Sequence, residues 1–275
     1  MIKETLTKKL MKLDFDRELI VLKDGGTCAV YWNVDSSGAG RPIIGDEKPI
    51  LLLYPGISGC HKNLYTLLLA WEAWKHGFVC GSMVFQGAEV DDLPVTGQRV
   101  NSAVAWDDAT HMTNYVHEKY CMHNKQKTRN LYAYGVSLGA QLLANQLGEE
   151  GKNSKYDGAI LYAVPWNFEQ SWPFVLKYGG GFYGWAVGQA ANLVVKEAMT
   201  KMKGNLKAEV FERYMAVLKS NWEGLAPVED HVIAPMYGFK DRLAYNKVAN
   251  VVQRISKIMV PTFALHAKDD WVCNE

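Results

Sequence analysis

Residues 131–147 run LYAYGVSLGAQLLANQL, and two kinds of periodicity meet inside them. LYAY at 131–134 is an apolar run of strand length, and Leu138, Leu142, Leu143 and Leu147 fall on the stripe of a helix. Between them stands Gly135-Val136-Ser137-Leu138-Gly139, a G-x-S-x-G match. A strand that turns sharply into a helix holds such a serine in strained backbone geometry above a sheet. The flanking glycines suit that turn because side chains there would collide with it. The helix start behind Ser137 supplies N–H groups and a dipole that face developing negative charge. Ser137 is therefore a candidate nucleophile, and the plainer alternative is a Gly/Ser turn that merely joins a strand to a helix.

Working outward, the strand–helix alternation repeats. PILLLY at 49–54 predicts a strand buried on both faces, and residues 62–76 predict a helix with Leu64, Leu67, Leu68 and Trp71 on one stripe. Residues 78–85 read as a strand, 101–118 as a helix, 159–164 as a strand and 260–267 as one more. Upstream, residues 17–22 and 28–34 flank the turn Lys23-Asp24-Gly25-Gly26 and predict a β-hairpin. The expected fold is α/β: a mostly parallel sheet with an N-terminal hairpin and helices on both faces.

The rhythm breaks between residues 166 and 253. Eight aromatics lie between Trp166 and Trp185 (Trp166, Phe168, Trp172, Phe174, Tyr178, Phe182, Tyr183, Trp185), interleaved with Gly179, Gly180, Gly181 and Gly184. Amphipathic helices are predicted over about 186–203 and 207–219. The expectation is one domain over residues 1–275, with a core of about 15–165 and 236–275 and a helical cap of about 166–235. Several of the aromatics are expected to line an apolar cavity over Ser137, which favours an apolar acyl chain as substrate.

Two further segments bear on Ser137. Tyr54-Pro55-Gly56-Ile57-Ser58-Gly59 ends a central strand, and a Gly-rich loop there can turn an N–H toward the serine. The N–H groups of Ile57 and Leu138 are the candidate oxyanion hole, although a simple strand-ending turn reads equally well. Ala267-Lys268-Asp269-Asp270-Trp271-Val272 follows the last strand, where a carboxylate can orient a catalytic histidine. Asp270 fits best by spacing, with Asp269 as the alternative and an exposed acidic turn as the bland reading.

The composition bounds the rest. Of 275 residues, 48% are apolar and 21% charged, as in a globular protein, and a net charge of +1 gives no electrostatic reason to expect nucleic acid. Five scattered cysteines (Cys28, Cys60, Cys80, Cys121, Cys273) show no metal or redox spacing. Nothing calls for a metal or an organic cofactor. MIKETLTKKLMKLDFD at 1–16 lacks the apolar core of a secretory signal, and no run is long enough to span a bilayer. A cytoplasmic or peripheral membrane location is expected, with any membrane contact peripheral.

The order PGISG, GVSLGAQLLANQLGEEG, VPTFALHAKDD resembles the α/β-hydrolase-domain (ABHD) lipase and esterase family. The branch is the one with eukaryotic phospholipase- and acylglycerol-lipase-like members and medium-chain esterases. RELIVLKDGGTCAVYW at 17–32, Asp107-Asp108 and MYGFKDRLAY at 236–245 are similar to that family too. The resemblance implies an α/β-hydrolase fold and a serine hydrolase of acyl esters, through a Ser-Asp-His triad. It departs in two places. The family's Asn-x-Arg-Gly stretch is here Phe85-Gln86-Gly87-Ala88, and its histidine follows the Asp in a Gly-Gly-His stretch, whereas this sequence stops at Glu275. Such a fold also adds a further strand and helix beside residues 260–267; these are expected to be missing, leaving a bare edge and an inactive chain. Of the seven histidines (His61, His76, His111, His117, His123, His231, His266), His61 is the candidate substitute, and His266 is expected within the last strand below the elbow. The alternatives are an acyltransferase variant and a non-catalytic protein that binds a lipid or a partner.

Overall fold

The computed structural model describes residues 14–34, 40–57, 59–87, 93–94, 96–177, 181–221, 223–270 and 273. The leader expectation at residues 1–13 lies outside them, as do Ser58, Ala88, Tyr178, Gly179, Gly180, Trp271 and Val272.

Among the described residues, nine strands form a seven-stranded sheet and a small hairpin. They are β1 (Phe15–Val21), β2 (Thr27–Asn33), β3 (Ile50–Tyr54), β4 (Val79–Val84), β5 (Met122–His123), β6 (Gln126–Lys127), β7 (Leu131–Val136), β8 (Gly158–Tyr162) and β9 (Thr262–Leu265). The large sheet has the order β1-β2-β4-β3-β7-β8-β9, with β5 and β6 pairing apart. β1 and β2 pair antiparallel, as do β2 and β4; the rest of the large sheet is parallel. The N-terminal hairpin closes through Leu22 N–H to Gly26 O at 2.8 Å, with Gly25 at φ 84° as the turn demands.

The helices are α1 (Leu64–Lys75), α2 (Trp106–Val116), α3 (Leu138–Glu150), α4 (Phe168–Lys177), α5 (Phe182–Lys201), α6 (Ala208–Ser220), α7 (Leu225–Val228), α8 (Ala234–Met236) and α9 (Arg242–Ala249). A π-turn, Glu229–Ile233, joins α7 to α8. The main core packs Leu52 and Leu131 of the sheet with Met112, Leu142, Leu143 and Leu147 of α2 and α3. Trp32, fully buried on β2, donates its indole N–H to Glu18 at 2.8 Å.

Two sequence readings shift. The helix expected from residue 101 starts at Trp106. Ser102 N–H donates to Asn101 Oδ1 at 2.9 Å and Val104 N–H to Ser102 Oγ at 3.3 Å. Side chains thus take the backbone donors that a helix would use. Second, the individual helices predicted within the cap start only at about residue 186, whereas α4 forms earlier, inside the aromatic, Gly-rich stretch, with Pro173 within it.

At the far edge every residue of β9 is exposed. Its register pairs Ile160 with Phe263 and Tyr162 with Leu265, so four large apolar side chains, all exposed, lie along β8 and β9. Among the described residues no helix is long and apolar enough to cross a membrane.

Candidate active site

The centre of the site is set by one turn. β7 ends at Val136, α3 begins at Leu138, and Ser137 between them has φ 52° and ψ −120°. That is a left-handed region costly for any residue with a side chain. The turn is held by Ser137 N–H to Tyr162 O on β8 and by Gln141 N–H to Ser137 O, both at 2.9 Å. Steric crowding explains its glycines. A Cβ on Gly135 would lie 2.6 Å from Ala140 Cα, and one on Gly139 would lie 2.2 Å from Tyr54 O.

The loop after β3 lies against this turn. A Cβ on Gly56 would meet Ser137 Cβ at 3.3 Å. Gly56 N–H is taken by Tyr65 Oη at 3.0 Å, and Gly59 N–H closes onto Gly56 O at 2.9 Å. Among the described residues, no protein acceptor engages the N–H of Ile57 or of Leu138. Tyr65, in the first turn of α1, thus positions the loop; a lone tyrosine carries no motif, so the sequence gives no sign of it.

Ser137, Leu138, Ile57 and Gly56 all line one cavity of about 1120 Å³, counting the part open to solvent. Its wall is largely aliphatic. Val187, Ala191, Val194 and Val195 face it from α5 at helical spacing, and Leu225 and Val228 face it from α7. Among the described residues, the wall is less aromatic than expected from sequence. Phe168 lines the cavity, Trp166 packs against the main core, and Phe182, Tyr183 and Trp185 are 61%, 42% and 45% exposed. These last three cluster at the start of α5, with ring centroids 5.7 and 5.9 Å apart. Their bulk fits the helix surface, whereas the small and β-branched residues farther along α5 leave room for a void. The side chains of Trp172, Phe174 and Tyr178 lie outside the described residues.

Asp270 follows β9. It receives the N–H of Cys273 at 3.0 Å, and its own N–H donates to Ala267 O at 3.1 Å. Cys273 itself lines the cavity beside Ser137. The carboxylate therefore sits one hydrogen bond from a cavity-lining residue, while Asp269 is exposed.

None of the seven histidines lines the cavity. His61, 1% exposed, is stacked on Tyr31 at 3.8 Å and met edge-on by Phe15 at 4.5 Å. His266 lies just past β9, with both ring nitrogens buried and, among the described residues, without a hydrogen-bond partner.

Where the sequence carries Gln86 and Gly87 in place of Asn-x-Arg-Gly, Gly87 lines the cavity and Gln86 Nε2 donates to Asp108 at 3.2 Å. Asp108 is also bridged by Arg99, which reaches Asp24 as well. Burial raises the Asp108 carboxyl above its ordinary value, against the pull of Arg99 and Gln86.

No family model matches the chain. It is 27% identical over 232 residues to a monoacylglycerol lipase of Saccharomyces cerevisiae, covering 82% of this chain and 48% of that protein. It is 23% identical over 259 residues to phospholipase ABHD3 of Mus musculus, covering 94% of this chain and 59% of that protein. The chain thus spans about half the length of the yeast relative and under two thirds of the mouse one. An esterase from Pyrococcus furiosus superposes with a TM-score of 0.53 at 10% identity, covering 97% of this chain and 74% of that one. At that identity the likeness is one of fold.

Proposed function

From its place in the ABHD-type α/β-hydrolase family, to which the chain belongs, we propose that it contributes the serine side of a carboxylic ester hydrolase acting on lipid or medium-chain esters. One observation carries this: a serine at φ 52°, ψ −120° on a strand–helix turn lines an aliphatic cavity together with Ile57 and Leu138. In this reading Ser137 Oγ attacks the ester carbonyl, and the N–H groups of Ile57 and Leu138 receive the charge that develops on its oxygen. The acyl chain lies along the wall of α5 and α7, with residues 166–235 acting as the cap.

Asp270 is assigned the carboxylate that orients a histidine. Since no histidine of the chain lines the cavity, the reading places that base on residues outside these 275. Loss of the histidine in such triads costs on the order of 10⁶ in turnover, so the 275-residue chain is expected to hydrolyse medium-chain esters negligibly.

The test is labelling by a fluorophosphonate probe and turnover of a medium-chain ester, on a protein extended to include a Gly-Gly-His stretch, beside its Ser137→Ala variant. Labelling and turnover that vanish with Ser137→Ala support the reading. An extended protein inert to both leaves the second reading, a non-catalytic lipid binder, which the distribution of the histidines favours. Ordinary turnover by the 275-residue chain would put another base beside Ser137 and send attention to His61.

A further inference from the structure

The cavity beside Ser137 is not apolar throughout. Glu229 opens the π-turn after α7 and Asn246 lies on α9, and both line the cavity. Glu229 is 8% exposed and Asn246 3%. Among the described residues, Glu229 Oε2 and Asn246 Nδ2 are each buried without a hydrogen-bond partner.

The polar groups around them are already engaged. Tyr245 Oη shares a hydrogen bond with Ser102 Oγ at 2.9 Å, and Gln141 Nε2 donates to Ala249 O at 3.2 Å. Among the described residues, Glu229 Oε2 and Asn246 Nδ2 are the buried side-chain N and O atoms of the cavity wall left without a partner, beside the open backbone N–H groups of Ile57 and Leu138. Buried polar atoms normally find partners, and a pair without them on a cavity marks where a ligand atom can serve.

The chemistry of the pair narrows the ligand. Asn246 Nδ2 offers a donor. Burial raises the Glu229 carboxyl to about 8, with Arg242 opposing and Asp230 reinforcing, so it stands neutral near pH 7. A neutral carboxyl and an amide that line one cavity, from elements that pack together, favour a neutral group that both gives and takes a hydrogen bond. No lysine or arginine among the described residues lines the cavity, so a phosphate there would lie without a countercharge.

We propose that Glu229 and Asn246 form a polar subsite for a hydroxyl group that the ester substrate carries away from its scissile carbonyl; this rests on the acyl-ester reading of Ser137. The hydroxyl oxygen accepts a hydrogen bond from Asn246 Nδ2, and its O–H donates one to Glu229 Oε2. A glycerol head or a hydroxylated acyl chain presents the same group, and binding separates them.

The experiment is calorimetric titration of the 275-residue protein with three ethers that cannot be hydrolysed: an O-decylglycerol ether, ω-hydroxydecyl methyl ether and decyl methyl ether. At least one hydroxylated ether should bind about tenfold or more tightly than decyl methyl ether, because leaving buried polar groups unpaired penalises the analogue lacking the hydroxyl. The tighter of the two names the source. Glu229→Leu and Asn246→Leu should each cut that preference severalfold or more while keeping affinity for decyl methyl ether. Glu229→Gln, which keeps a donor and an acceptor, should retain it. Thermal melts of each variant show that the fold survives. Equal binding of all three ethers by the unaltered protein overturns the subsite alone, as does a preference that survives both leucine variants. Failure of every ether to bind overturns the subsite and the acyl-ester reading together.

Discussion

The main-chain oxygen of Tyr54 stands 2.2 Å from where a Cβ on Gly139 would lie, so the end of β3 and the start of α3 touch backbone to backbone. That contact brings the loop carrying Ile57 against the turn carrying Ser137. Gly139→Ala must therefore push the two apart, at a cost of about 3 kcal/mol in stability. Gly56→Ala meets its nearest atoms at 3.3 Å and should cost far less. Chemical denaturation of both variants checks the contrast, and equal losses would contradict it.

Ser137 holds a conformation that suits glycine better than serine. Ser137→Gly should be more stable than Ser137→Ala by about 1 kcal/mol, because only glycine relieves the strain. Neither should react with a fluorophosphonate in the extended protein. A Ser137→Gly variant no more stable than Ser137→Ala would show that the turn stores no strain.

Glu18 is 4% exposed and accepts from Trp32 Nε1, Tyr115 Oη, Tyr120 Oη and Lys119 Nζ. Burial raises its carboxyl, but these donors outweigh burial and hold it below the ordinary 4.5. A depressed folded value means stability present above pH 4.5 and lost as pH falls through the folded value. Glu18→Gln should cost about 2 kcal/mol or more at pH 7. Below pH 4.5 the gap between variant and parent should narrow, as melts from pH 7 down to pH 3 will read.

Glu229 has the opposite sign. Its folded value of about 8 lies above the ordinary 4.5, so between these values the unfolded chain releases a proton that the folded one keeps. Stability attributable to this group must fall as pH rises across that window. Glu229→Gln should melt close to the parent at pH 4 and above it at pH 8.5. A variant gap that does not change with pH would contradict the shift.

The exposed pairs Ile160 with Phe263 and Tyr162 with Leu265 make the β9 edge adhesive. The 275-residue chain should self-associate with rising concentration, and Phe263→Lys should reduce this severalfold by light scattering. Unchanged scattering would place the adhesive surface elsewhere.

Much of this architecture is legible because it rests on local signals. LYAY, the glycine pair around Ser137 and the leucines of α3 each carry a periodicity or a steric need that no tertiary contact overrides. The hairpin turn Asp24-Gly25-Gly26 is equally local. What escapes the sequence is set by contacts that no local pattern announces. Tyr65 acts through Gly56 N–H, and among the described residues the cavity wall comes largely from aliphatic residues of α5 and α7, with Phe168 joining them from the aromatic run. Glu229 and Asn246 look like ordinary polar helix residues until burial removes their water. Pro173 and the surrounding glycines disguise α4, whose helical state depends on packing against α5.

The aliphatic wall of the cavity stands on one face of α5, whereas the strained serine stands between β7 and α3. What fits beside Ser137 and what holds Ser137 are thus written in separate parts of the chain. A lineage can retune the first one codon at a time, at Ala191 or Val195 for instance, while backbone collisions veto drift at Gly135 and Gly139. Descendants of this sequence should therefore diverge early in what they accommodate and late, if ever, in the turn itself.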